Sequence, residues 1–258
     1  MLNLEDCTNT CILINSCPKY NKIAVASCCL IRRYATGLKW PIYLASAGLD
    51  DEKKAMMMAA GVHVMEQGPE NGDFLESRIE ALRILRESFS FVLLLQDDFF
   101  LDRAPNYDAL EETVRMMTEN PEIVCTRLMP CPGPTGDVVL GKWKEIVVDP
   151  YCYFSFQAGV WSIPWLMRFF EEVVRRATPL MTKYPHYSRN QFWLLVNPCE
   201  TGVGTDVAVE LGGRFVGWPR AGRWSNAVYL SPWPYRPTAI EKGVIQPWAT
   251  EMLKREEF

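Results

Sequence analysis

The sequence predicts an α/β fold, in which helices flank a mostly parallel central sheet and a smaller mixed half follows. In the first half of the chain, short apolar runs alternate with helical patterns, which is typical of a parallel sheet covered on both faces. The run at 91–95, FVLLL, is apolar throughout, as expected for a strand buried on both faces. Two adjacent acids, Asp97 and Asp98, follow this strand at the kind of edge where open α/β sheets bind ligands.

The first half contains nine predicted elements. Residues 11–15, 41–46, 62–65, 91–96 and 123–128 are predicted strands, and residues 22–35, 51–60, 107–118 and a segment from 73 onward are predicted helices. The helix from 73 has the clearest pattern, because Asp73 and Glu76 resemble a capping box. Leu75, Ile79 and Leu82 then recur at helical spacing and trace one apolar face.

The second half of the sequence does not continue the alternation of strands and helices. Prolines and glycines between 130 and 136 predict a loop, after which 138–140 and 145–148 read as two short strands. Residues 151–160 form an aromatic-rich run that we interpret as a strand, and a helix is predicted at 164–177, where a proline marks the start. The last 50 residues combine tryptophans with many prolines and predict a packed, irregular tail. No linker is visible, so we expect a single domain over residues 1–258.

Composition narrows the class of protein. The 258 residues carry a net charge of −4 with dispersed basic residues, which argues against a nucleic-acid partner. No apolar run reaches the roughly 18 to 20 residues that span a bilayer, and residues 1–10 lack the pattern of a secretory signal. The sequence therefore predicts a soluble, cytoplasmic protein. Its nine cysteines include no C-x-x-C pair, and Cys199 has no histidine pattern to support a nucleophilic role.

The acid pair after the fourth strand is the first candidate site. Mg²⁺-type ions take few protein carboxylates and leave positions for substrate phosphates, so the pair suits a phosphate-carrying cation. Neighbouring residues of a strand point to opposite faces, so Asp97 and Asp98 can share a site only if the strand has already ended. The alternative is that the acids simply end the strand and begin a turn.

Three segments resemble GT-A fold glycosyltransferases, and more narrowly the small enzymes of bacterial surface polysaccharides and large DNA viruses. That family often shows a helix with Ser-x-Arg-x-x-x-Ala-Leu, followed by a strand that ends in Leu-Glu-Asp-Phe-Phe. Here the corresponding segments are ESRIEALRIL from Glu76 and FVLLLQDDFFL from Phe91. Further on, SFQAGVW from Ser155 and NPCE from Asn197 resemble the family's Ser-Leu-Gln-x-x-x-Trp and Asn-Pro-Trp-Glu segments. The likeness covers about residues 11–210, although Gln96-Asp97-Asp98 replaces the spaced Asp-x-Asp of many relatives and Cys199 replaces a tryptophan.

The resemblance implies a GT-A-like (Rossmann-like) fold with a nucleotide-sugar half over about 1–128 and an acceptor half with the C-terminal tail over about 129–258. It implies that Asp98 binds Mn²⁺ or Mg²⁺, that Asp97 holds the ribose or donor sugar, and that Arg78 reaches the diphosphate or base. The nucleotide base would lie against residues after the first strand, namely Asn15, Ser16, Cys17 and Tyr20. For Arg78 the alternative is a solvated helix face.

Sugar transfer with inversion needs a carboxylate that takes the proton of the acceptor hydroxyl. Glu200 matches the family motif best, and Asp206 is the second candidate, with a helix N-cap as its alternative role. His186 is a candidate metal ligand or acceptor contact, whereas His63 alternates with valines in a strand and is expected to be structural.

The implied activity is the metal-dependent transfer of a sugar from a nucleotide-diphosphate donor to a glycan or polysaccharide acceptor. Two alternatives stay open. One is a carbohydrate- or nucleotide-binding protein of the same fold without turnover, and the other is a nucleotidyltransferase or phosphoesterase. Neither a G-x-x-x-x-G-K-[ST] nor a G-x-G-x-x-G motif is present to favour the latter.

Overall fold

A computed structural model describes most of the chain, namely residues 9–68, 74–130, 133–148, 153–183, 203–219, 231–236, 239–241, 243–256 and 258. Seven α-helices lie within these ranges: α1 (Asn21–Tyr34), α2 (Asp51–Ala59), α3 (Phe74–Leu85), α4 (Tyr107–Glu119), α5 (Ile163–Lys183), α6 (Val203–Leu211) and α7 (Pro247–Arg255). A short 3₁₀ turn, Pro18–Tyr20, precedes α1. In the described part of the chain, no helix is both long enough and apolar enough to cross a membrane.

The strands of the described residues are β1 (Thr10–Asn15), β2 (Ile42–Ala47), β3 (Val62–Gln67), β4 (Phe91–Gln96), β5 (Phe100–Leu101), β6 (Ile123–Arg127), β7 (Val138–Leu140), β8 (Trp143–Glu145), β9 (Gly159–Ser162), β10 (Arg214–Gly217), β11 (Tyr235–Arg236), β12 (Ile240–Glu241) and β13 (Val244–Ile245). Nine of them form one sheet in the order β3-β2-β1-β4-β9-β6-β10-β8-β7. Within it, β8 and β9 run opposite to their neighbours, and the other strands share one direction. The predicted α/β class with a mostly parallel central sheet is therefore confirmed.

The period of two along β1 and β4 divides the core into two layers. Ile12 and Ile14 of β1 face the layer that contains buried residues of α1, α2 and α4. Cys11 and Leu13 face the opposite layer, where α3, α5 and α6 pack. Since both layers are apolar, the carboxyl edge of the sheet is the place where polar side chains of these strands collect.

Capping side chains fix where two of the helices begin. The Asp50 carboxylate accepts the Lys53 N–H at 2.8 Å at the start of α2, and the Asn106 side chain accepts the Ala109 N–H at 3.1 Å at the start of α4. Both helices therefore begin within a residue of their predicted starts.

The structure corrects the predictions for the second half. Residues 153–158 are not a strand, and the strand predicted at 151–160 is instead Gly159–Ser162, which inserts between β4 and β6. Gly159 permits this close pairing, since a Cβ there would lie 3.2 Å from the Thr126 carbonyl oxygen. The second short strand is Trp143–Glu145, not 145–148, because it pairs with β7 across a turn at Gly141, whose φ is +53°.

The tail was also predicted wrongly. Pro247–Arg255 forms a regular helix, α7, and Ala249 and Met252 are its buried residues. They pack with Ile23 and Leu30 of α1 in a third apolar cluster. A proline at the first helical position is compatible with a helix start, which is why the proline content of this segment did not exclude a helix.

Candidate functional site

Parallel strands bring the residue after β1 and the residue after β4 to one place. Asn15 at the end of β1 is in register with Gln96 at the end of β4, so Ser16 and Asp97 leave the sheet side by side. The Ser16 hydroxyl donates to Asp97 Oδ2 at 2.8 Å. This contact joins two residues that the family resemblance had assigned separately to the donor site.

Asp98 turns toward a different part of the chain. β4 ends at Gln96, and the Phe99 N–H donates to the Gln96 carbonyl at 3.3 Å, so both acids lie in a turn and not in the strand. The Asp98 carboxylate accepts the backbone N–H of Ile240 at 3.3 Å, and the Asp98 carbonyl accepts the Ala239 N–H at 3.2 Å. The condition under which adjacent acids can serve one site is therefore met, and each carboxylate has its own partner.

Arg78 projects from α3 to the same sheet edge. It is 3% exposed, so its alternative role on a solvated helix face is wrong. Its Nη2 donates to Gln96 Oε1 at 3.2 Å, and its guanidinium carbon lies 5.9 Å from the centre of the Phe156 ring. Burial lowers the pKa of Arg78 to about 9 while the charge of Asp97 opposes the shift, so the guanidinium stays protonated at neutral pH.

Burial also perturbs both acids. It raises the pKa of Asp97 to about 7, with the charge of Asp98 adding to the shift and the Ser16 hydroxyl and Arg78 opposing it. Burial likewise raises the pKa of Asp98, against the stabilising N–H of Ile240. Titratable groups perturbed by burial and by specific charge partners are typical of functional sites.

The other predicted donor residues surround this pair. Asn15 is 4% exposed, and neither its amide oxygen nor its amide nitrogen has a hydrogen-bond partner among the described residues. A buried amide left without partners costs free energy, which makes Asn15 a candidate for a ligand contact. The Cys17 carbonyl accepts the Tyr20 N–H at 2.9 Å, which closes the 3₁₀ turn after β1. Tyr20 is partly exposed and lies near Gly243, where a Cβ would be 3.8 Å from the tyrosine hydroxyl.

Sequence reasoning missed two buried polar side chains near the same edge, those of Arg127 and Tyr235. Arg127 ends β6, is 4% exposed, and donates to the Tyr153 carbonyl at 2.6 Å. Tyr235 is fully buried and donates its hydroxyl proton to Gln157 Oε1 at 2.6 Å. The arginine that ends an apolar strand was a usable signal, and Gln157 lies in the quoted SFQAGVW segment. No sequence pattern pointed to Tyr235 or to the backbone of Ile240.

Most of the residues predicted for the acceptor side are not among those that the structure describes. Glu200, His186 and Cys199 lie outside the described residues. Asp206 is exposed in the first turn of α6, a helix that packs against α5, and no contact described in the structure joins it to Asp97 or Asp98. His63 is exposed on the edge strand β3, where its ring stacks on Tyr43 with ring centres 4.8 Å apart.

The side chains near Asp98 can be compared with what the expected Mn²⁺ or Mg²⁺ ion requires of its ligands. Within the described residues, no group of three or more His, Cys, Asp or Glu side chains could enclose a metal ion. A magnesium-type ion does not require such a group, since it is commonly held by one or two carboxylates and substrate phosphates. Two half-buried carboxylates whose negative charges repel each other fit an ion of this kind, because a divalent cation would neutralise both.

Comparison with known proteins gave matches among solved structures only. No protein-family model and no curated protein sequence matches this chain. The structure of CMP:2-keto-3-deoxy-manno-octonic acid synthetase complexed with CTP is 12% identical, with 97% of this chain and 100% of that chain covered and a TM-score of 0.48. A cytidylyltransferase from Leptospira borgpetersenii is 11% identical, with 97% and 95% covered and a TM-score of 0.47.

A third match is the glucosyl-3-phosphoglycerate synthase of M. tuberculosis, which is 12% identical, with 63% of this chain and 60% of that chain covered and a TM-score of 0.38.

The sheet itself identifies the class of fold. Four parallel strands in the order β3-β2-β1-β4 are followed by the antiparallel β9 and then by β6, which is a GT-A-like arrangement. The chain thus has the GT-A-like fold that the resemblance implied.

Proposed function

We propose that this protein is a glycosyltransferase that moves a sugar from a nucleotide-diphosphate donor to a glycan or polysaccharide acceptor. The observation that carries the proposal is a cluster at the carboxyl edge of β1 and β4, in which the buried Arg78 lies with the half-buried Ser16 and Asp97 and with Asp98 beside them. Opposite charges collected at this edge suit a ligand that carries both hydroxyl groups and a diphosphate.

Each residue of the cluster has a role that its chemistry supports. The Asp97 carboxylate is oriented by the Ser16 hydroxyl and accepts hydrogen bonds from hydroxyl groups of the ribose or of the donor sugar. Arg78 is charged at neutral pH, and its guanidinium can donate two hydrogen bonds to the diphosphate. The amide of Asn15 faces the nucleotide base together with Cys17, and Tyr20 stacks on the base.

Asp98 is the proposed ligand of Mn²⁺ or Mg²⁺, with His186 as a further candidate. A cation held there would supply positive charge to the leaving nucleoside diphosphate. The Ile240 N–H donates to Asp98 Oδ2 and so fixes the orientation of the carboxylate. The other oxygen lone pairs stay available to the cation.

The acceptor side requires a general base for an inverting reaction. Glu200 or Asp206 takes the proton of the acceptor hydroxyl as that oxygen forms its bond to the anomeric carbon and the bond to the diphosphate breaks. Replacing the base should abolish turnover and leave nucleotide binding unchanged. We therefore expect Glu200→Gln or Asp206→Asn, but not both, to show this separation in a sugar-transfer assay.

The proposal is tested by calorimetric titration of UDP, GDP and dTDP, each with and without Mn²⁺. We expect one nucleotide to bind in a Mn²⁺-dependent manner, and we expect Asp98→Ala to lower that affinity at least about tenfold by removing a metal ligand. Glu119→Ala is the matched control, since Glu119 is an exposed acid at the end of α4, at the opposite edge of the sheet.

Two other outcomes would redirect the proposal. A well-folded protein that binds no nucleotide but retains carbohydrate would be a binding protein of the same fold. Release of pyrophosphate from a nucleoside triphosphate and a sugar, in place of release of a nucleoside diphosphate from a nucleotide sugar, would make the chain a nucleotidyltransferase.

A further inference from the structure

The segment from Ala239 to Glu256 reaches the acid pair from the far end of the chain. Its contacts with Asp98 are made by two backbone groups, the N–H groups of Ala239 and Ile240, although 142 positions separate Ile240 from Asp98. Gln246 continues the connection, because its N–H donates to the Ala239 carbonyl at 2.8 Å. Gln246 is also the N-cap residue of α7. The position of the Asp98 carboxylate is thereby tied to the position of α7.

Apolar contacts hold this segment on α1. Ala239 is fully buried and belongs to one cluster with Ile23 and Leu30 of α1 and with Ala249 and Met252 of α7. The loop after β1 leads directly into α1, so the same helix carries the donor-side loop at its start and the segment from Ala239 along its length. A shift of α7 along α1 would therefore move Ile240 relative to Asp98.

A buried carboxylate closes the segment at its end. Glu256 is 6% exposed and follows α7 directly. It accepts hydrogen bonds from the Tyr34 hydroxyl at 2.8 Å and from Arg255 at 2.9 Å, and it forms an ion pair with Arg33. Arg33 and Tyr34 are the last two residues of α1, so Glu256 joins the C-terminal ends of the two helices.

We propose that residues 239–241 and 243–256, here called the C-terminal latch, position the Asp98 carboxylate for its ligand, and that Glu256 is the residue that holds the latch closed. The inference rests on the proposed function in that Asp98 holds the cation. Glu256 touches neither acid and acts only through α7, Ala239 and Ile240. It is a positioning residue in a part of the chain that sequence patterns assigned to an irregular tail.

The first test measures the latch itself. Hydrogen–deuterium exchange, resolved by NMR, reports the protection of the Ile240 amide in the full chain without ligand. We expect protection in the wild type, loss of protection in Glu256→Ala and in Asp98→Ala, and retained protection in Asp98→Asn, which keeps an acceptor oxygen. Glu251→Ala is the matched control, since Glu251 is an exposed acid on α7 itself. An Ile240 amide that exchanges equally fast in the wild type and in Glu256→Ala would overturn the proposal.

The second test separates positioning from a general loss of stability. We expect Glu256→Ala to weaken Mn²⁺-dependent nucleotide binding about tenfold, as the loss of a residue supporting a metal ligand typically does, and to leave metal-free nucleotide binding unchanged. In the Asp98→Ala background, Glu256→Ala should have no further effect on affinity, because the two substitutions remove the same interaction. Glu256→Gln keeps the size and one acceptor oxygen and should recover part of the affinity.

The two proposals fail differently. If the wild type binds no nucleotide, the proposed function is wrong, and the exchange of the Ile240 amide still decides whether the latch exists. If the wild type binds a nucleotide with Mn²⁺ and Glu256→Ala binds it equally well, the latch does not position Asp98, and the proposed function stands without it.

Discussion

The Asp97 carboxyl group is surrounded by groups that act on its ionisation in opposite directions. Burial and the neighbouring charge of Asp98 favour the neutral form, whereas the Ser16 hydroxyl and the Arg78 guanidinium favour the carboxylate. The net result is a pKa of about 7, so this acid changes its charge within the physiological range. Ionisation of Asp97 therefore costs folding free energy in the protein without ligand.

The stability of the unliganded protein should consequently fall as the pH rises from about 5 to about 7. In this window the folded state holds a proton on Asp97 that the unfolded chain has already lost, since the ordinary pKa is 3.8. The free energy of unfolding then decreases as the pH rises. The decrease is on the order of a few kcal/mol, because its size follows from how far burial raises the pKa of Asp97. Chemical denaturation at fixed pH, with a chelator present, measures it.

The variant Asp97→Asn provides the control for this pH effect. The amide cannot ionise, so the slope between pH 5 and pH 7 should become shallower, and the remainder belongs to groups such as Asp98, whose pKa is also raised by burial. Carboxylates such as Glu172, whose pKa is lowered to about 2 mainly by hydrogen bonds from Arg175 and Arg176, lose their effect only at lower pH and do not mask the window. If the free energy of unfolding depends on pH in the same way in the wild type and in Asp97→Asn, ionisation of Asp97 does not destabilise the folded protein.

Arg78 allows a second prediction at the scale of one residue. Arg78→Lys keeps the charge but removes the planar fork that can donate two hydrogen bonds to a diphosphate. We expect about a tenfold loss of nucleoside-diphosphate affinity by calorimetry, corresponding to about 1.4 kcal/mol. Arg83→Lys on the exposed face of α3 is the matched control, and equal affinity of the two variants would exclude Arg78 from the diphosphate site.

At this scale the sequence predicted the positions of Ser16 and Asp97 but not the contact between them. Each residue follows the end of a predicted strand, and the carboxyl ends of parallel neighbours lie at one edge of the sheet. The partner of Asp98 could not be predicted, because a backbone N–H carries no side-chain signature and Ile240 is remote in the sequence. The register that joins them is decided by packing on α1.

At the scale of elements, two of the errors in the second half arose because residue composition does not by itself specify secondary structure. The aromatic residues Tyr153, Phe154 and Phe156 are buried without forming a strand. Phe154 packs against Trp161 and Phe169, Phe156 packs against Phe154, and Tyr153 packs against Phe215. A run of large apolar residues indicates burial but does not by itself distinguish a strand from a packed loop. In the tail, the helix α7 was obscured by prolines, one of which begins it.

The turn between α6 and β10 gives a prediction that a pair of adjacent glycines can test. Gly212 and Gly213 both have positive φ, at 68° and 105°. A Cβ at Gly213 would lie 2.7 Å from Val124 Cγ2, whereas a Cβ at Gly212 would meet no atom within 4 Å. Gly212→Ala should cost about 1 kcal/mol of stability from backbone strain alone.

Gly213→Ala should cost about 1 to 3 kcal/mol more than Gly212→Ala, because the clash with the branched Val124 adds to the strain. Urea denaturation of the two variants measures the difference. Gly213→Ala combined with Val124→Ala should remove the steric part of the cost, since the clashing methyl groups are gone. Equal stability of the two single variants would mean that the β6–β10 pairing can shift to accommodate the methyl group.

At the scale of the whole molecule, one sheet edge gathers contributions from four distant parts of the chain. The loop after β1 supplies Ser16, α3 supplies Arg78, the turn after β4 supplies Asp97 and Asp98, and the C-terminal latch supplies Ile240. A ligand bound as proposed would contact residues from several of these parts. Its binding free energy is therefore added to the stability of the whole folded chain.

A cation and a nucleotide should accordingly raise the melting temperature, and the increase should grow with pH. At a ligand concentration about 100-fold above Kd, the stabilisation is about 2.7 kcal/mol, which corresponds to a rise on the order of 5 °C in a chain of this length. Cation binding requires ionised carboxylates, and the pKa values of Asp97 and Asp98 are both raised by burial. The rise should thus be smaller at pH 5.5 than at pH 8.

The opposite pH trends with and without ligand make this prediction specific. Without ligand, ionisation of Asp97 lowers stability as the pH rises, whereas with Mn²⁺ and nucleotide the same ionisation strengthens binding. Thermal unfolding followed at both pH values, with Asp98→Ala as the variant that lacks the proposed metal ligand, compares the two trends directly. A rise that is the same at both pH values, or that persists in Asp98→Ala, would place the bound cation away from the acid pair.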